Sequence, residues 1–309
     1  MPRAANWRVL SLNVLYGPSP LQRDWPARMA RVAALVRRRA PDVVALQEVS
    51  EDAAELLARE LPDYALEAGP LSGASTGLRV ASLAWSAAVA LLALAAAPGA
   101  RAWLVALALL PWVEVAWMRF HLGRFGSRGA HAALLWRRER LEREGAQAWW
   151  LSRTPDRPGS TLPLTLGPRM VHGVRLRDRA SGRQLFVCAT HIGHAPWAAA
   201  ASARIVLGRL ADERTPVQLL CGDFNATPAS PLLRALCDGR SLDPPLRDAR
   251  VEVAPRAPAA GTWPAGAPRL ALDHILVRGP VRIAAFETLG GPEDLVSDHR
   301  ALEVELTAE

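Results

Sequence analysis

Apolar and polar positions alternate with a period of two over residues 7–14, WRVLSLNV. The same rhythm, or a short unbroken apolar run, returns at residues 42–49, 132–136, 170–177, 183–189, 217–221, 270–277 and 301–306. Alternation marks a strand with one buried face, and a short continuous run suits a strand buried on both. Between these segments the period lengthens. Trp25, Met29, Val32 and Val36 fall three and four apart, which predicts an amphipathic helix to about residue 40. Pro26 sits in its first turn, where a missing N–H does no harm. Further helices are expected at 51–60, 198–210 and 231–237, a short strand at 64–68 and another edge starting at 148–151. Residues 154–168 and 256–268, rich in Pro, Gly and Ala, read as connectors. Strand, helix, strand within the first 49 residues is a layered α/β beginning. A length of 309 residues allows one large α/β domain or two small ones.

One stretch breaks this pattern. Residues 80–97 carry no charge, residues 98–101 form a turn, and residues 102–118 are a second apolar run with one carboxylate, Glu114. As helices, the two runs are each about 26 Å long, just short of a hydrocarbon core. Trp103, Trp112 and Trp117 lie toward the ends, as interfacial aromatics do. Residues 79–118 are therefore expected to form an inserted, membrane-embedded hairpin, with an interfacial element or a soluble hairpin as the alternatives. The remainder, residues 1–78 and 119–309, then forms one domain. Two crossings return the chain to the same side, and Arg119, Arg124 and Arg128 after the hairpin favour the cytoplasmic side for that domain. The expected location is membrane-associated through residues 80–118, with the domain itself cytoplasmic.

Composition adds little to the choice of partner. The formal net charge is +7, but lysine is absent and every basic residue is Arg, amid heavy use of Ala, Leu and Pro. That is a compositional habit as much as a binding surface for nucleic acid or anionic lipid. The three cysteines include no C-x-x-C pair, which argues against a disulfide framework or a zinc knuckle. No apolar stretch of signal-peptide type precedes the first strand.

The candidate chemistry lies at strand ends. Residues 217–221 form a strand, Gly222 ends the run, and Asp223 and Asn225 follow. At strand spacing both side chains point the same way, into one pocket. Other strand ends deliver Asn13, Glu48, His191, Asp273, and Asp298 with His299. Each alone has an ordinary reading: a solvated Asx turn, a surface carboxylate, a satisfied structural histidine. Together they make an inventory for a hard divalent cation and a phosphate group. The segment His191-Ile192-Gly193-His194 spells the HIGH motif of class I aminoacyl-tRNA synthetases. There it follows an early strand and works with a lysine-bearing loop; here it lies past the midpoint of a chain without lysine.

The pieces SLNV, PDVVALQEV, ATHIGHA, LLCGDFNATP, LDHILV and VSDHRALEVEL occur in that order over nearly the whole chain. This series resembles the endonuclease/exonuclease/phosphatase superfamily. The resemblance implies a DNase I-like four-layer α/β sandwich, two packed β-sheets flanked by helices, here with the inserted apolar hairpin. It implies that Glu48, helped by Asn13 and Asp298, binds Mg2+ or Mn2+. It implies that Asp223 orients or deprotonates the attacking water and that Asn225 holds the scissile phosphate. By the same resemblance His299, paired with Asp273, stabilises the transition state, and His191 contacts the phosphate or acts as acid toward the leaving group. Arg169 matches a family arginine and is implied to bind a phosphate oxygen. Two positions depart from the pattern: Ala271 stands where the family often has Arg, with Arg269 a candidate substitute, and His274 stands where it has Tyr. The implied activity is divalent-metal-dependent hydrolysis of a phosphodiester by in-line attack of water, of nuclease or general phosphodiesterase type. The alternatives are a sphingomyelinase-like lipid phosphodiesterase, a phosphatase, or a catalytically silent membrane-tethered binding module. The substrate is thus expected to be nucleic acid or phospholipid. Loss of Asp223 or His299 would have favoured the silent module, and both are present.

Overall fold

The computed structural model describes residues 6–15, 24–70, 89, 131–162, 168–194, 196–256 and 259–309. Among them, two six-stranded sheets face each other. The first contains β1 (Asn6–Asn13), β2 (Val43–Val49), β3 (Tyr64–Ala68), β4 (His131–Arg137), β11 (Val281–Thr288) and β12 (Leu302–Ala308), in the order β11-β12-β1-β2-β4-β3. The second contains β5 (Leu141–Trp150), β6 (Met170–Asp178), β7 (Gln184–His191), β8 (Val217–Asp223), β9 (Arg247–Asp248) and β10 (Asp273–Arg278), in the order β5-β6-β7-β8-β10-β9. Helices α1 (Trp25–Arg39) and α2 (Glu51–Glu60) pack with the first sheet; α3 (Pro196–Asp212) and α4 (Pro231–Cys237) pack with the second. A short α5 (Ala249–Val253) follows β9. This is the expected four-layer α/β sandwich.

Both sheets share one central pattern. In β12-β1-β2-β4 and in β10-β8-β7-β6 the pairings run antiparallel, parallel, antiparallel. Each parallel pair is joined by a helix, α1 or α3, because parallel neighbours need a crossover. The carboxyl ends of β1, β2, β7 and β8 therefore open at one end of the sandwich, where ligands gather in parallel sheets.

The period of two decides which side chains reach that opening. In β1, Trp7 and Val9 face the opposite sheet while Leu10 and Leu12 face the helices. In β7, Leu185, Val187 and Ala189 face inward; in β8, Val217, Leu219 and Cys221 do; in β10, Ile275 and Val277 do. Continuing each series in steps of two puts Asn13, His191, Asp223 and Asp273 on the inner face at the open end. The seam between the sheets is mostly apolar, with buried Ser11 and Gln47 just below the mouth where the chemical groups gather.

At the closed end the sheets are pinned together. Trp7 Nε1 donates to Asp178 Oδ2 at 2.9 Å, and Asp178 Oδ1 accepts from the backbone of Ala180 and Ser181. Burial raises the Asp178 pKa, but the hydrogen bonds from Ser181 and Trp7 outweigh it and hold the carboxyl below its ordinary value. Such a group stabilises the fold fully above the unfolded carboxylate value of about 4 and progressively less as pH falls through its lower folded value. Asp178→Ala is expected to cost about 2–4 kcal/mol in urea unfolding at pH 7, with the deficit narrowing toward pH 3. A deficit that does not change with pH would contradict this reading.

The proposed hairpin at residues 79–118 lies outside the described residues, apart from Val89. Among the described residues no helix is long and apolar enough to cross a membrane.

Candidate active site

Three backbone features shape the mouth of the seam. Glu48 has φ 60, and the pairing of β2 with β4 shifts register between Leu46 and Val49. Asn225 has φ 49, just past the end of β8. Left-handed backbone at non-glycine residues costs on the order of 1–3 kcal/mol, less for Asn, and persists where the surroundings impose it. Asp223 and Asn225 do line one cavity, as expected, but strand spacing is not the reason. The left-handed turn at Asn225, closed by Asn225 N–H donating to Asp223 Oδ1 at 2.9 Å, brings them together. The third feature, Gly222 at φ 153, lets β8 pass against Thr190 of β7.

The side chains form a connected network. Asn13 Nδ2 donates to Glu48 Oε1 at 3.0 Å and to Asp223 Oδ2 at 3.1 Å, while Asn13 Oδ1 accepts from Leu15 N. Asn13 therefore bridges two carboxylates from opposite sheets. Across β8 and β10, Asp223 and Asp273 are register partners. His299 Nδ1 lies 2.9 Å from Asp273 Oδ2, and His299 Nε2 lies 3.8 Å from Asp223 Oδ2. His191 Nε2 accepts from Asn225 Nδ2 at 2.9 Å, so its proton sits on Nδ1, which faces Glu48 Oε1 at 3.6 Å. The second N–H of the Asn225 amide donates to Ile192 O at 2.8 Å. Both donors of the Asn225 amide are thus engaged within the protein here.

These groups surround a cavity of about 510 Å3. Glu48, Arg169, His191, Asp223, Asn225 and His299 line its polar part, and His194, Trp263, Leu270 and Leu272 complete the wall. Asn13 and Asp273 stand behind that wall. Asp298 is half-buried beside it, accepting from Ser297 Oγ at 3.2 Å. A larger groove of about 670 Å3 between α4 and α5 is lined by Leu233, Leu246 and Val251 with the Arg247–Glu252 ion pair, and has no such convergent set.

The electrostatics separate the roles. Burial, then the negative charge of Asp273, pushes Asp223 up to about 7. Burial works against a charged His299, but the hydrogen bond and charge of Asp273, with Asp223 and Asp298, outweigh it and hold His299 at about 9. Burial and the charge of Arg169 keep His191 well below the usual imidazole value. At neutral pH the cavity therefore holds a charged imidazole, a neutral one and a carboxyl close to its midpoint. That set can accept a proton from water and offset developing negative charge.

The donor set fits a divalent cation. Asp223, Asp273 and His299 place ligand atoms within 4.8 Å of one another, but the short His299–Asp273 bond suits proton-holding better than ligation. Asp273 Oδ1 is buried with no hydrogen-bond partner. Glu48 gives the cavity a second hard oxygen donor. Asp298 lies nearby, since buried Arg28 feels the charges of Asp24, Asp298 and Glu48 against its own desolvation.

Several side chains at or beside the cavity carry little signal in the pattern of the chain. Arg28 is buried and donates to Val14 O and Leu15 O, fixing the chain just beyond Asn13. His194 reaches the cavity wall as the second histidine of the segment resembling HIGH. Trp263 comes from the stretch read as a connector and Leu270 from the first position of the stretch read as a strand, which begins only at Asp273; the two pair as a bridge, and Ala265 N donates to Asp298 O to tie that loop beside His299. A lone Trp in a Pro- and Gly-rich stretch was the one available signal. His274 lies 2.9 Å from Ala226 O through Nε2 and 3.3 Å from Asp248 Oδ2 through Nδ1, so it buttresses the turn that carries Asn225. Arg269 is exposed and does not line the cavity, so it does not stand in for the arginine absent at Ala271.

Residues 10–299 match the model of the Endonuclease/Exonuclease/phosphatase family. None of the curated proteins compared with the chain matches it. Among solved structures, an endonuclease/exonuclease/phosphatase from Bacteroides vulgatus aligns with TM-score 0.73 and 19% identity over 99% of this chain and 100% of its own. A mannosyl-6-phosphatase of Bacteroides thetaiotaomicron aligns with TM-score 0.70 and 17% identity over 97% and 99%. D. rerio TDP2 in complex with a single-strand DNA product aligns with TM-score 0.64 and 15% identity over 98% and 99%. At these identities the structural likeness speaks for the fold. The family match over most of the chain speaks for more: this protein belongs to the endonuclease/exonuclease/phosphatase family of phosphoester hydrolases.

Proposed function

We propose that the chain hydrolyses phosphodiesters of nucleic acid, in a reaction that depends on a divalent cation. The observation that carries the chemistry is Asp223, poised near neutrality, 3.8 Å from a His299 that Asp273 keeps charged. Asp223 Oδ2 takes the proton of the attacking water. The His299 imidazolium and the Arg169 guanidinium face the charge that builds on the phosphoryl oxygens. His191, neutral and oriented by Asn225, borders the same space. A cation such as Mg2+ or Mn2+ held by Glu48, with Asn13 and Asp298 close by, would neutralise phosphoryl charge and favour in-line displacement.

The apolar wall supports the substrate class. Trp263 and Leu270 are 38% and 41% exposed and lie on the rim of the catalytic cavity. An exposed indole beside a phosphate site offers a face on which a planar base stacks. The TDP2 relative carries a single-strand DNA product, which agrees with this choice. Trp263→Ala is expected to raise KM for an oligonucleotide about tenfold with kcat nearly unchanged, since base stacking is worth about 1–3 kcal/mol. Steady-state kinetics on a labelled oligonucleotide read this split, and a loss confined to kcat would speak against stacking. The function itself is tested by offering DNA, RNA, sphingomyelin, a sugar phosphate and bis-p-nitrophenyl phosphate side by side. Cation-dependent cleavage of a nucleic acid is expected; turnover of sphingomyelin or the sugar phosphate without nucleic acid would overturn the substrate class.

A further inference from the structure

A second groove, of about 470 Å3, runs along α3 on the outer side of the second sheet. Both of its walls start from the catalytic cavity. On one, Leu151 N donates to the backbone oxygen of the cavity residue Arg169 at 2.7 Å, and the chain continues through Ser152 to Arg153. On the other, Trp197 follows the cavity residue His194 by three positions, with Arg204 and Ile205 two turns further along α3. Three residues of chain span at most about 10 Å, so the Cα of Trp197 lies within about that distance of the Cα of His194.

The groove's chemistry is uneven in a telling way. Arg209, five residues beyond Arg204, pairs with Asp156. Arg153 and Arg204 are exposed and form no ion pair among the described residues. Two uncompensated guanidiniums on one groove attract an anion. Trp197, 62% exposed, is the most exposed large hydrophobic residue among those described, and an accessible indole gives a ring a face to stack on. Charge for a phosphate beside a face for a base, within reach of the scissile site, is the composition of a single-strand track.

We propose that this groove binds the strand flanking the scissile phosphodiester, with a neighbouring phosphate between Arg153 and Arg204 and a base against Trp197. The proposal rests on the nucleic-acid reading above. It predicts a length preference, because a substrate confined to the catalytic cavity cannot reach the groove.

The test is fluorescence anisotropy of labelled oligodeoxythymidylates of increasing length on the full chain, without divalent cation, across a salt series. Arg153→Ala with Arg204→Ala is expected to weaken binding at least tenfold for the longer strands. It should also reduce the slope of log affinity against log salt by about 0.7, the value for one phosphate contact on a single strand. Trp197→Ala should weaken binding several-fold without changing the slope. All three substitutions are at exposed positions, and hydrolysis of bis-p-nitrophenyl phosphate should stay at the wild-type rate. Wild-type affinity and slope in the variants, or no oligonucleotide binding by the wild type, would overturn the groove. Oligonucleotide cleavage lost in Asp223→Asn, read in the same experiment, reports on the catalytic reading separately. If that cleavage persists in the groove variants while their binding is unchanged, only the groove fails.

Discussion

Asp223→Asn is expected to lower kcat by about three orders of magnitude while flattening the pH dependence of stability in the metal-free protein. The first effect follows from the loss of the proton acceptor; general base catalysis is worth about 10²–10⁴-fold. The second follows from where Asp223 sits. Its folded pKa is about 7, raised by burial and then by Asp273, its register partner across β10. The unfolded value is about 3.9. Between the two, the native state binds more protons than the unfolded state, so stability falls as pH rises through that window. Asn cannot titrate. Its altered hydrogen bonds to Asn13 and Asn225 offset the curve as a whole without restoring the slope. Urea unfolding of both proteins in EDTA from pH 4 to 8 reads the difference. Parallel curves would show that Asp223 is not the group titrating there, and full turnover by the variant would remove it from catalysis.

Gly222→Ala should damage both fold and catalysis through contact with a single backbone atom. At φ 153, a Cβ at position 222 would lie 2.0 Å from Thr190 O. That neighbour is backbone within a parallel pair, one position before its end, so no rotamer change relieves the clash. Thr190 pairs with Gly222 and His191 with Asp223, so any separation of β7 from β8 moves two cavity residues at once. A loss of at least about 3 kcal/mol is expected, as for a strained special backbone position, with a fall in kcat/KM of about a hundredfold for misplacement of the reacting groups. Gly182→Ala is the control. Its φ is 70, nothing lies within 4 Å of its added Cβ, and it sits in the β6–β7 turn. It should lose about 1 kcal/mol and keep its activity. Equal effects in the two variants would mean that contact with Thr190 has no special role.

Much of the sandwich was legible because its strands obey the period of two. The inward series through Trp7 and Val9, or through Val217, Leu219 and Cys221, reaches Asn13 and Asp223 with no tertiary information. What escaped lacks that pattern. β5 opens with Leu-Glu-Arg-Glu and reads as a charged surface until its last residues. β11 lies at a sheet edge with half of its residues exposed. β9 has two residues and exists only because β10 offers a partner. The site divides the same way. Its residue types were visible at strand ends, but their relations are properties of register and strain. Asn13 bridges Glu48 and Asp223 because two sheets meet there. Glu48 points into the cavity because β2 breaks register before Val49. Trp263 joins the wall because the loop carrying it is tied to Asp298. None of these is a local feature of the chain.

The central claim is that a carboxylate at Asp223 and a bound divalent cation together hydrolyse a phosphodiester. Its most direct test is the initial rate of oligonucleotide hydrolysis by the full chain, with Mg2+ or Mn2+ and with EDTA, for the wild type and for Asp223→Asn. Hydrolysis by the wild type that EDTA abolishes, and that the variant lacks under every condition, is the expected result. Equal hydrolysis with and without EDTA, or by both proteins, would contradict the claim, as would a wild type that cleaves no phosphodiester.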